Sequence, residues 1–145
     1  MTISAAEQYL IELINRARLD PIAEAAHYGI DLNDNLAEGT IGTDPLQVLA
    51  INGLLSEAAD EHSVWMLENN VFSHTGVNNT SPGARMADAG YVFEGAWQWS
   101  ENLAWTGTTG SLDLAEAVDA HHEGLFRSSG HRTNTFDEDV REIGV

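Results

Sequence analysis

Six histidines, in a chain of 145 residues with no cysteine, are the side chains best suited to carry chemistry. A neutral imidazole is the commonest nitrogen ligand for zinc and is easily tuned near neutral pH. His74 lies in Phe72-Ser73-His74-Thr75-Gly76, past the end of an expected helix and before a turn. His131 lies in Ser129-Gly130-His131-Arg132. Small neighbours on both would let a ligand or metal approach the ring. Glu101 lies in Trp99-Ser100-Glu101-Asn102-Leu103-Ala104-Trp105, an aromatic stretch with few charges. A carboxylate buried there needs a compensating cation or hydrogen-bond donor. Its alternative role is a structural carboxylate bonded to backbone N–H groups.

His121, His122 and Glu123 are sorted by helix phase. At about 100° per residue, Leu114, Ala115, Val118 and Leu125 define an apolar face. His122 falls near the centre of that face, His121 on its edge, and Glu123 on the polar side with Glu116 and Asp119. His122 is therefore either a core histidine or a site residue. His62 shares an apolar stripe with no polar neighbour beside it and reads as structural. His27 reads as a helix-end or loop residue. No nucleophile elbow, phosphate loop or H-E-x-x-H helix is present.

These residues need elements to position them. A first helix is expected over about Ala5 to Leu19, with Ser4 and Glu7 at capping-box spacing and Asp20-Pro21 as its stop. Residues 29–48 read as a long acidic loop. Within it, Asp31 to Asn35 faintly resembles the start of a calcium loop but lacks the required Gly and Glu, so it reads as solvated. A second helix is expected over about Leu54 to Asn69, capped near Gly53 or by Ser56. Its buried stripe is Leu55, Ala58, Ala59, His62, Trp65 and Met66. A third starts at Ser81-Pro82 and ends by Gly90. Tyr91-Val92-Phe93 is expected to start a strand. A fourth helix runs from about Leu112 to Phe126, with Ser111 as its cap. Residues 128–132 read as a turn, and Glu142 to Val145 as the opening of a strand.

Composition narrows the partners. The length suits one domain over 1–145. Apolar residues make up 43%, enough to drive folding of a globule. Six Arg and no Lys face 23 Asp and Glu, for a formal net charge of −17. That surface repels nucleic acid and anionic membranes and attracts divalent cations. No apolar run reaches the roughly 20 residues of a membrane span. The first residues do not read as a signal peptide. This leaves a cytoplasmic protein, a signal removed, or an export signal outside the segment.

Five segments then carry a resemblance: Leu54 to Ser63, Phe72 to Gly76, Arg85 to Tyr91, Ser100 to Trp105 and Ser129 to Asn134. Their content and order resemble bacterial SCP-like members of the CAP superfamily. That superfamily also holds cysteine-rich secretory proteins, antigen 5 and plant pathogenesis-related proteins. The resemblance implies an α+β fold, an α-β-α sandwich with a small antiparallel sheet. It implies a cleft of two histidines and two acidic residues that can hold a divalent metal ion, most simply zinc. His74, Glu101 and His131 match three of those positions. The fourth is open between His122 and Glu123, and helix phase favours His122. Ser100 stands where the family has glycine. The family fold ends in a strand pair, so the chain is expected to lack its last strands. Its acidic, Cys-free character resembles the front part of larger calcium-dependent exported bacterial proteins.

Three functions are expected from these features. The first is a secreted, non-catalytic module holding a metal and a small-molecule, lipid or peptide ligand. The second is a metal-assisted hydrolase of the peptidase kind, with Glu101 as general base. The third is lipid or sterol binding along a groove lined by Trp97, Trp99 and Trp105, residues that otherwise belong to the core or a cleft wall.

Overall fold

Ser4 starts the first helix, α1 (Ala5–Leu19), as the capping-box spacing predicts. Its hydroxyl accepts from the Glu7 N–H at 3.2 Å, and the Glu7 carboxylate accepts from the Ser4 N–H. The computed structural model describes residues 3–145. They form two compact units: Ser4–Val48 with Ala104–Glu138, and Leu49–Leu103 with Asp139–Val145.

In the first of these units, Asp20-Pro21 ends α1 and also begins α2 (Pro21–His27). The Asp20 side chain accepts from the Ala23 N–H at 3.0 Å, and Pro21 takes a first-turn position where no N–H is needed. The expected stop is therefore a start as well. α5 spans Leu114–Arg127 and is capped by Asp113, not Ser111, whose carboxylate accepts from the N–H groups of Ala115 and Glu116. α6 (Ser129–Thr135) is a helix where a turn was expected. Ala17, Ala25, Leu32, Ile41, Phe126 and Phe136 form the core.

The stretch 29–48 has no helix or strand, as expected, but it is anchored rather than loosely solvated. Arg132 is fully buried and donates to the carbonyls of Leu32 at 2.9 Å and Phe126 at 2.7 Å, and also to that of Asp34. Arg18, equally buried, donates to the carbonyls of Gln47, Thr135 and Asp137. A buried guanidinium is tolerable only with such acceptors. Asn33 closes the loop on itself through both the N–H and C=O of Ile41.

In the other unit, α3 (Gly53–Asn69) is capped by Asn52, whose side chain accepts from Leu54 and Leu55 N–H. It ends at Asn70 in the left-handed region, φ 52°. Its buried positions include Ala58, His62 and Met66, as the stripe predicts. α4 (Pro82–Asp88) has Ser81 as its cap. Tyr91–Phe93 is irregular, not a strand.

Strands β1 (Ala50–Ile51) and β2 (Glu142–Ile143) pair in parallel, with Ala50 opposite Glu142 and Ile51 opposite Ile143. This corrects the antiparallel expectation. Two parallel strands need a long crossover, and the chain between these two supplies one. Helices together with this strand pair make the chain α+β in kind. The residue after β2, Gly144, lies flush on α3: a Cβ there would stand 2.1 Å from Leu55 C and Ser56 N. No helix among the described residues is long and apolar enough to cross a membrane.

Candidate functional site

His74 sits in the irregular stretch between α3 and a single 3-10 turn, Val77–Asn79. Two buried features hold that stretch. His62, on the inner face of α3, engages the Ser73 carbonyl through Nε2 at 2.8 Å, and its ring stacks on Trp65. Arg85, on α4, donates through one nitrogen to the carbonyls of His74 at 3.0 Å and Thr80 at 3.2 Å. Gly76 makes room for this: a Cβ would lie 2.8 Å from Thr80 Oγ1 and 3.0 Å from the Arg85 guanidinium. The space beside this small residue is taken by the protein's own arginine, not left for a ligand.

Glu101 meets both groups. Its Oε1 is 2.7 Å from His74 Nδ1, and its Oε2 is 2.5 Å from the second terminal nitrogen of Arg85. Glu101 and Arg85 are largely buried, whereas the His74 side chain is 55% exposed. The carboxylate is thus compensated by a cation and a ring N–H. An ionised Glu101 accepts from Nδ1–H, so a neutral His74 carries its lone pair on Nε2. That is the usual second partner of a metal-ligating histidine. The irregular stretch 99–101 touches α4 at two points. Trp99 covers Gly83, where a Cβ would lie 2.6 Å from Nε1, and two residues on, Glu101 reaches Arg85.

In the other unit, His131 is part-buried on α6, with Nδ1 2.8 Å from the Ser128 hydroxyl. His122 points inward and Glu123 outward, as helix phase predicts. Each is engaged. His122 Nε2 is 2.8 Å from Glu24 Oε1 in a fully buried pair, and Glu123 accepts from Arg127 at 2.7 Å. Glu24 also accepts from Arg16 at 2.6 Å and 2.8 Å. Burial alone would raise its pKa. The bonds from His122 and Arg16, with the Arg16 charge, overcome that and bring it down to about 2. Within either unit, no group of three or more His, Asp or Glu among the described residues converges as a metal cage.

Two residues that sequence reasoning passed over are central here. Arg85 lay inside a quoted segment without a role. Glu24 was one carboxylate among 23 acidic residues, and only its place between the small residues of α2 hints that it faces inward. Trp97, Trp99 and Trp105 are not core: Trp97 is 58% exposed, Trp105 71% and Trp99 37%.

One family model, the cysteine-rich secretory protein family (CAP), matches residues 11–145. The chain matches no curated protein and no solved structure.

Proposed function

The chain belongs to the cysteine-rich secretory protein family, CAP, and from that premise we propose that it is an extracellular binding module that takes a divalent metal ion, zinc, at His74. The observation that carries this reading is the bond between Glu101 and His74 Nδ1, 2.7 Å long, on a ring more than half exposed. It fixes the ring and leaves Nε2 as the coordinating nitrogen. His131 is the second ligand that the family resemblance implies. Glu101 orients His74 rather than binding the ion, because both of its oxygens are already engaged. His122 is assigned to its pair with Glu24, and Glu123 to Arg127. The bound ion supplies a positive centre for an anionic or carbonyl-bearing ligand. The α-β-α sandwich belongs to the same reading.

Isothermal titration with zinc tests it. A single site that disappears in His74→Ala and His131→Ala is expected; undiminished binding in both would refute it. The hydrolase reading gains no support, since His74 and Arg85 each engage one oxygen of Glu101, the residue it needs as general base.

A second reading, capture of an apolar or sterol ligand, is favoured by one observation. Exposed Trp97 continues a chain of rings, 4.9 Å from Phe93, which is 5.1 Å from Tyr91. Sterol binding that is weakened in Trp97→Ala would support this reading, and equal binding would remove it.

A further inference from the structure

We propose that Arg85 is the positioning residue that sets the tautomer of His74. Its consequence for metal affinity rests on the proposed function; its effect on the ring does not.

One guanidinium ties together three separate pieces of chain. It holds the His74 carbonyl, the Thr80 carbonyl and Glu101 Oε2. The first two bonds fix the backbone that carries the imidazole. The third occupies one carboxylate oxygen and so fixes the rotation of Glu101, aiming Oε1 at Nδ1. Ring and acceptor are thereby positioned by the same group. Lysine could not replace it, because a single ammonium on a flexible stem lacks the planar fork that serves acceptors in different directions. The surroundings are built to admit the fork. Gly76 leaves space for it, and Ser81 with Pro82 starts α4 three residues before it. With 10% of its side chain exposed, Arg85 is out of reach of most solvent and has few alternative partners.

Glu101 held in this way accepts a hydrogen bond from Nδ1–H. Without Arg85 the carboxylate loses the bond that occupies Oε2, and its bond to the ring is held less firmly. Nδ1–H then loses its preference over Nε2–H, and the coordinating nitrogen is no longer presented.

The test reads the ring nitrogens directly. Metal-free protein with 15N-labelled histidine is examined with the His74 ring in its neutral form. Wild type should show His74 as the Nδ1–H tautomer. Arg85→Met should show a mixture with a substantial Nε2–H share, and Arg85→Lys should restore the wild-type state only in part. Zinc affinity should fall roughly 10–100-fold in Arg85→Met, the usual cost of losing an outer partner of a ligand. A wild-type His74 found as Nε2–H overturns the proposal, even if no variant folds. So does an unchanged tautomer in a folded Arg85→Met. If the tautomer shifts as expected but wild type binds no zinc, the role of Arg85 stands and the metal reading fails.

Discussion

Glu24 and His122, 98 positions apart in the chain, meet as a fully buried pair with 2.8 Å between carboxylate and imidazole. Arg16 closes the arrangement from the side that reaches solvent. This pair gives the helical unit a dependence on pH. The Glu24 pKa is lowered from 4.5 to about 2. A lowered carboxylate pKa contributes stability that is present above the unfolded value and lost as pH falls through the folded one. Its contribution is therefore complete above about pH 4.5 and gone below about pH 2. The size is about 3 kcal/mol. Thermal melts of wild type and Glu24→Gln should differ at pH 7 and converge towards pH 2. A difference that persists at pH 2 would contradict this account.

Arg132 should be irreplaceable. Its fork serves the carbonyls of Leu32, Asp34, Phe126 and Arg127 from a fully buried position. Arg132→Met is expected to destabilise by roughly 3–5 kcal/mol, and Arg132→Lys to recover little of it. Urea denaturation measures both. A loss below about 1 kcal/mol would mean that the 29–48 loop does not depend on this anchor.

Much of the helical framework is legible in the chain. Capping chemistry located α1 and α4 because Ser4-x-x-Glu7 and Ser81-Pro82 act locally; α3 was placed by its apolar stripe, and its cap is Asn52 rather than Gly53 or Ser56. α5 was placed two residues early because Ser111 and Asp113 are both competent caps and only tertiary context chooses. α2 was hidden because Asp20-Pro21 serves as stop and start at once. α6 was hidden because Ser129-Gly130 is a poor helix former, rescued by the buried Arg132. The site divides in the same way. His74 and Glu101 stand out by residue type and flanking sequence, and the resemblance of segments assigns them to one cleft. Their meeting through Arg85, and the pairing of Glu24 with His122, depend on contacts between distant positions that no local pattern encodes.

Gly144 carries a steric demand. A Cβ there would stand 2.1 Å from backbone atoms of Leu55 and Ser56, which cannot step aside as a flexible side chain would. Gly144→Ala should separate the end of β2 from α3 and cost about 1–3 kcal/mol. Equilibrium denaturation showing no change would mean that the segment is not held there.

Salt should stabilise the fold. The formal charge is −17, and two of the six cations, Arg18 and Arg132, are buried. Carboxylates therefore dominate the surface even more than composition suggests. Screening shortens their repulsion from a range of about 30 Å at 0.01 M salt to about 3 Å at 1 M. The melting temperature should rise by several degrees across that interval in sodium chloride. A flat or falling profile would show that the repulsion is unimportant.

The central claim is that Glu101 holds Nδ1 of His74 so that Nε2 takes the metal. Zinc titrated into protein with 15N-labelled histidine, read at the two ring nitrogens of His74, tests it most directly. The account predicts a saturable change at Nε2 with Nδ1 still protonated towards Glu101. Coordination at Nδ1, or a His74 ring indifferent to zinc, would contradict it.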